Sequence, residues 1–346
     1  MLLVAWCCTM GAWAYDFEAD GIFYAVGSTT EATATVVFGD APYSGEVIIP
    51  STVTHEGTTY RVTSIGEHAF YDCSNLASIV IPKGLTSIGN SAFHDCSSLA
   101  SITLPESLTS IGEHAFSFCS SLTSIVIPEG VTSIGENAFR DCGSLASITL
   151  PESLTSIGKN AFTSCSSLAS IVIPDGVTTI EYYTFGSCSG LTSITIPEGV
   201  TEIGDGAFDR CSSLQAIHSR AITPPTCGTY CFYSVDKTSC TLYVPKGTLE
   251  TYKVADEWKD FVNIVEEEYT GIGEVGADSA GQAVITACGN GIVVENLPAG
   301  TAVTVYTLSG TVVYEGVANG SRAELTLPAG HLYLVKCGPT VTKVAL

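Results

Sequence analysis

From Val62 to Leu214 the apolar and polar positions recur at a fixed interval of 23 residues. Each interval carries Ile, usually Gly, two variable residues, usually Ala-Phe, two more residues, and Cys. The isoleucines are Ile65, Ile88, Ile111, Ile134, Ile157, Ile180 and Ile203; the cysteines are Cys73, Cys96, Cys119, Cys142, Cys165, Cys188 and Cys211. Constant apolar positions at a period of about 20–50 residues mark a solenoid, in which each repeat is one coil resting on the last. In the coil from Leu122 to Ser144, Ile125 and Ile127 alternate at the strand period and face inward, which leaves Ser124 and Val126 outward. Pro128 ends that strand because it has no N–H to offer the next coil. Glu129-Gly130 turns the chain, Val131 and Ile134 face inward on a second extended stretch, and Gly135 permits a tight bend. Glu136 to Cys142 reads as a single helical turn with Ala138, Phe139 and Cys142 on its inner side. A lone coil cannot bury enough surface to offset the entropy of ordering it, so stacking must supply the difference.

A finer pattern is superposed. Coils reading Leu104-Pro105-Glu106-Ser107-Leu108 and Leu150-Pro151-Glu152-Ser153-Leu154 alternate with coils reading Ile-Val-Ile-Pro-x-Gly, which implies a duplicated unit of 46 residues. The outward strand positions then form two stripes. One is Val80, Thr103, Val126, Thr149, Val172 and Thr195; the other is Ser78, Ser101, Ser124, Ser147, Ser170 and Ser193. This small, neutral, flat face is the candidate binding surface, with Tyr182, Tyr183 and Tyr230 as aromatic anchors of the kind enriched in binding hot spots. The coil around Ile180 departs furthest from the pattern, with Glu181 for Gly and Thr184 for Ala, and is expected to bulge. Lys83, Glu106, Glu129, Glu152, Asp175 and Glu198 form a mostly acidic ridge along the turns.

The recurring wording LTSIxIPxxVTSIGxxAFxxC resembles the leucine-rich repeats of the BspA-like type, found in surface proteins of Bacteroides-related bacteria and some eukaryotic parasites. The resemblance implies a mainly β fold: a leucine-rich-repeat solenoid with short helical turns, followed here by a small C-terminal β-sandwich. It also implies adhesion to host matrix proteins or to other bacteria.

The flanks divide the chain further. Residues 1–14 are apolar and uncharged and close on Ala12-Trp13-Ala14, as a secretory signal does; they are too short for a membrane span of about 20 apolar residues. Residues 15–61 read as an N-terminal cap and a divergent first coil, 62–217 as the repeats, and 218–265 as a C-terminal cap. In that cap an incomplete coil precedes an amphipathic helix from Leu249 to Phe261, and its Thr223-Pro-Pro-Thr-Cys227 wording resembles the close of many BspA-like arrays. Residues 266–279 read as an acidic linker and 280–346 as a small sandwich of about six strands. Tyr306-Thr-Leu-Ser-Gly310 and Leu327-Pro-Ala-Gly330 resemble the sorting domains of the type IX secretion pathway. The whole therefore reads as an exported protein of the outer-membrane surface or the extracellular space.

Composition narrows the function. Charged residues make up only 14%, and 35 acidic against 13 basic groups give a net charge of −22. Such a chain repels nucleic acid and anionic lipid, which need Lys and Arg to neutralise phosphate. The seven periodic cysteines occupy one inward position and read as a reduced packing ladder. Cys227, Cys231 and Cys240 are an odd set from which one disulfide can form, and Cys288 with Cys337 is a candidate disulfide of the last domain. His68 and His114 repeat one position two coils apart, roughly 10 Å at strand spacing, too far to share a metal ion. No nucleophile elbow, phosphate loop or paired zinc motif is present, so no catalytic, cofactor or metal site is expected. The resulting expectation is a non-enzymatic surface binder of a protein or glycan. The alternatives are a passive spacer, or an accessory module of a glycan-degrading system.

Overall fold

A computed structural model describes residues 15–267 throughout, followed by the segments 284–288, 291–295, 301–307, 312–317, 322–326, 332–337 and 340–345. The chain divides into two compact units at Glu267/Glu268.

Most coils of the first unit lay down two short strands; in the coil of Ile111 the first is reduced to the bridge from Ser101 to Ser124. Ser124–Val126 pairs in parallel with Ser147–Thr149, Ile125 opposite Ile148, and Ser133–Ile134 pairs with Ser156–Ile157, Ile134 opposite Ile157. The period of 23 residues is thus also the register of both ladders. The prolines that end the first strands accept a hydrogen bond from the residue three further on, as Pro128 O does from Val131 N at 3.0 Å, so the strand stop is also a β-turn.

The third side of the coil is not the helical turn that the sequence pattern suggested. Ala138, Arg140 and Cys142 N–H close successive turns on Gly135, Asn137 and Phe139, while Asn137, Phe139 and Asp141 N–H each donate to the next coil, at 2.8 Å, on Lys159, Ala161 and Thr163. Every N–H from 137 to 142 is therefore used, half of them between coils. A helix would direct its N–H groups along its own axis and leave the coils unjoined on this side. The geometry requires left-handed residues, Asn137 at φ +55° and Asp141 at φ +58°, and the same two positions are left-handed in coil after coil. Asn and Asp tolerate this region better than other non-glycine residues.

Inside, the columns are regular. The rings of Phe70, Phe93, Phe116, Phe139, Phe162, Phe185, Phe208 and Phe232 stack nearly parallel, with centroids 5.0 to 5.6 Å apart. Beside them, each ladder thiol from Cys96 to Cys211 donates to the phenylalanine carbonyl of the preceding coil, as Cys142 Sγ does to Phe116 O at 3.1 Å. That carbonyl also accepts the Cys N–H of its own coil, Cys119 N to Phe116 O at 3.2 Å. The thiols are thus unoxidised structural donors. Burial pushes Cys142, Cys165, Cys188 and Cys211 up, Cys188 to about 12.

The Ile180 coil does not bulge: Phe185 stays in the column at 5.6 and 5.5 Å from its neighbours. Buried Thr184 satisfies its hydroxyl on Glu181 O at 2.8 Å. What the coil does instead is interrupt both strand ladders. Ser156–Ile157 does not pair with Thr179–Ile180, nor Ser147–Thr149 with Ser170–Val172. The first ladder is also interrupted earlier, between Leu76–Val80 and Ser124–Val126, where the coil between them keeps only the bridge from Ser101 to Ser124; in the second ladder the cause is Glu181. At the matching Gly112, Gly135, Gly158 and Gly204, a Cβ would stand 2.6 to 2.7 Å from a backbone nitrogen of the previous coil. Glu181 carries that Cβ, so its strand stands off.

At the N-terminus, the antiparallel strands Phe17–Ala19, Ile22–Ser28 and Thr33–Val37 join the second ladder through Thr58–Ile65. Gly45–Ile48 extends the first ladder, and Tyr43 places its ring 4.8 Å from Phe70 as the column's cap. The segment from Ser51 to Arg61 is a hairpin, Thr52–His55 against Thr58–Ile65.

Beyond His218 the stack continues where the sequence suggested an incomplete coil: Cys227 pairs with Ile203 and Phe232 lies 5.4 Å from Phe208. The expected helix is broken, into Leu249–Tyr252 and a 3₁₀ turn Trp258–Asp260, because Glu257 between them is left-handed at φ +67°. Trp258 and Phe261 close the column edge-on against Phe232, and Trp258 Nε1 donates to Pro225 O at 2.8 Å. Glu266 and Glu267, read from sequence as linker, belong to the last strand of the first ladder, Asn263–Glu267.

The second unit has seven antiparallel strands among its described residues, in sheets of three and four. This fits the small β-sandwich expected. The strand absent from the sequence reading is Thr340–Ala345.

Candidate binding surface

The outward positions of the first strands stand in register, and most are exposed. Val126 faces Thr149, Val172 faces Thr195, and Ser124 faces Ser147. Val80, Val126 and Val172 leave 49%, 65% and 69% of their surface in solvent. Thr103, Thr149, Ser101, Ser124, Ser147 and Ser170 are exposed; Ser78, Ser193 and Thr195 are half-buried. The row runs further than the sequence reading took it. Ile48 precedes Val80 in register, and His218, Tyr243 and Val265 follow Thr195. The signal was present as a continuation of the register through coils whose wording departs from the repeat. His218 stacks on Tyr243 with centroids 4.4 Å apart, and its Nδ1 lies 3.1 Å from Glu267 Oε1, so the row ends in a hydrogen-bonded aromatic platform.

Tyr182, Tyr183 and Tyr230 do not join this face. They sit on the turn side of their coils, after the second strand. Tyr183 is half-buried over Gly206, where an added Cβ would come 2.3 Å from its ring, and Tyr182 lies 4.6 Å from it. Tyr230 pairs edge-on with Tyr233 at 5.5 Å, and both are exposed.

The same side carries a cluster that sequence reasoning missed. His94 lies between the coils of His68 and His114; it stacks on Tyr71 at 4.8 Å and approaches His114 at 6.2 Å and Phe118 at 5.2 Å. Aligning the coils position by position would have shown it, since His94 follows its Phe whereas His68 and His114 precede theirs by two. Burial, reinforced by the neighbouring His114, lowers the His94 pKa, and its Nδ1 is buried without a hydrogen-bond partner. Among the described residues, no three His, Cys, Asp or Glu side chains are grouped to hold a metal ion.

An open cleft of about 760 Å³ lies at the N-terminal cap, lined by Asp20, Phe23, Asp40, Pro42, Tyr43 and Glu46. Cys227, Cys231 and Cys240 are unpaired thiols. Cys288 and Cys337 end strands of different sheets, and their side chains, with the disulfide expected between them, lie outside the described residues. Among the described residues no helix is long and apolar enough to cross a membrane.

Comparison with known proteins agrees with the coil geometry. The model of the BspA type leucine rich repeat region matches residues 50–169 and 155–252. Among solved structures, a leucine rich repeat protein of T. pallidum is 31% identical, with a TM-score of 0.51, covering 57% of this chain and 90% of its own. A leucine-rich repeat protein from Bacteroides ovatus is 26% identical, with a TM-score of 0.48, covering 73% and 77%. No curated protein matches the chain. With the family model spanning more than half the sequence and the coils stacked in its register, the chain belongs to the BspA type of leucine rich repeat proteins.

Proposed function

We propose that this protein is an exported, non-enzymatic binder, and that the face formed by its first strands receives an extended protein or glycan at the bacterial surface. The observation that carries this reading is the row of exposed β-branched residues at one repeat position, Val80 to Val172, flanked by serines and free of charge. A long row of apolar side chains left in solvent is a feature of interaction surfaces. Its flatness suits a partner that lies along several coils instead of entering a pocket. In this reading residues 1–14 direct export and the last unit acts in sorting.

The test is binding of the purified chain to a panel of extracellular matrix proteins and bacterial surface glycans. A Val126→Lys/Val172→Lys variant, which leaves the inward columns intact, should weaken the saturable signal at least tenfold. Unchanged binding, or no saturable binding to any member, counts against the proposal. The uniform chemistry of the row, coil after coil, favours a second reading: a passive spacer, for which the lysine variant would support cell-surface assembly as well as the parent does.

A further inference from the structure

The last coil departs from the repeat at two linked positions. Where the preceding coil has Ile203-Gly204-Asp205-Gly206-Ala207-Phe208, this one has Cys227-Gly228-Thr229-Tyr230-Cys231-Phe232. Cysteine replaces both the inward isoleucine and the inward alanine, while the ladder position three residues after the phenylalanine becomes Val235. The backbone keeps the geometry of the repeat. Cys227 pairs with Ile203, Phe208 N–H donates to Cys231 O at 2.9 Å, and Cys231 N–H closes its turn on Gly228 O at 3.4 Å. Both side chains therefore occupy neighbouring inward sites across a single turn.

This pair differs from the ladder. The ladder thiols from Cys96 to Cys211 are committed to phenylalanine carbonyls at 3.0 to 3.2 Å. Cys227 reaches only Pro225 O, at 3.9 Å. Access differs too: Cys227 is half-exposed, whereas Cys231 is fully buried behind it.

We propose that Cys227 and Cys231 form a disulfide that staples the C-terminal coil in an oxidising compartment, an inference that rests on the reading of the chain as exported. The half-exposed Cys227, as thiolate, attacks one sulfur of an external disulfide, such as oxidised glutathione or a thiol–disulfide oxidoreductase, and expels a thiolate. The Cys231 thiolate then attacks the Cys227 sulfur of the mixed disulfide and expels the rest of the reagent. Two protein thiols lose two protons and two electrons, and the external disulfide becomes two thiols. The buried thiol resolves and the accessible one initiates, because access selects the first to react.

The full chain is equilibrated in buffer containing oxidised glutathione, alkylated with iodoacetamide during denaturation, and digested with trypsin. Cys227 and Cys231 share the peptide running from Ala221 to Lys237, and Cys240 falls in the next one. The expected result is that the first peptide escapes alkylation and is lighter by two hydrogen atoms, while the ladder cysteines are alkylated. The oxidised chain should melt about 5 °C above the reduced one. A Cys227→Ile/Cys231→Ala variant, which restores the wording of the preceding coil, should fold and lose that difference. Alkylation of both cysteines in oxidised glutathione would overturn the proposal, as would a cross-link from this peptide to the one holding Cys240. Neither result bears on ligand binding or on export, which are read by other assays.

Discussion

Phe139 is the sharpest test of the column. Its ring is fully buried and stacked between Phe116 at 5.3 Å and Phe162 at 5.6 Å, both within 6° of parallel. Replacing Phe139 by Ala removes a buried aromatic, which costs about 3–5 kcal/mol in a core that cannot collapse. It also removes both stacking contacts, which add roughly 0.5–1.5 kcal/mol each beyond area burial. Relaxation of the two flanking rings toward each other is limited by the strand ladders on either side of the coil, so an expected loss of about 4 kcal/mol is reasonable. Because stability in a solenoid is a sum of coil and interface terms, a weakened central interface should also split the unfolding transition. Urea titration followed by far-ultraviolet circular dichroism reads both effects, the second as a lowered slope. Phe118→Ala is the control: that side chain is 40% exposed and outside the column, so its loss should cost less than about 1 kcal/mol. A Phe139→Ala cost no greater than the Phe118→Ala cost would refute the argument that the stacked rings hold the coils together.

Two further changes test local claims. Glu181→Gly should close the interrupted second ladder and stabilise the chain by about 1 kcal/mol, the net of a few recovered hydrogen bonds against the entropy of glycine; amide exchange near Ile157 and Thr179 should slow, and unchanged exchange would mean that the Cβ is not the obstruction. The folded pKa of His94 lies below the ordinary imidazole value of 6.5, so the unfolded chain binds the extra proton first. Stability from this group is present above pH 6.5 and lost as pH falls below it toward the folded value, a slope that His94→Gln should flatten in melting curves between pH 7 and 5.

The columns were legible because their spacing is set by inward side chains that the sequence repeats almost verbatim. Phe93, Phe116 and Phe139 align as the period required. The third side of the coil was misread for a definite reason. Ala138, Phe139 and Cys142 have helical spacing, but what decides between a helix and a chain of turns is where each N–H goes, and that depends on the neighbouring coil. Glu181 was recognised as a departure, yet only the closeness of the adjacent backbone shows that the consequence is a gap in pairing and not an outward loop. On the candidate surface, the Ser and Val/Thr rows followed from alternation alone. The tyrosines go with them on residue type alone, while the structure assigns them to another side of the coil. Ile48, His218, Tyr243 and Val265 escaped notice because the wording around them is irregular although their register is not.

The carbonyl of each phenylalanine from Phe70 to Phe185 receives one donor from its own turn and one from the cysteine of the following turn, so these coils present the same plug and the same socket. Gene-level gain or loss of whole units, most easily the duplicated one of 46 residues, would leave every junction chemically familiar. Reach is then an inherited variable that recombination can adjust in steps of one coil, without redesigning either cap of the repeats.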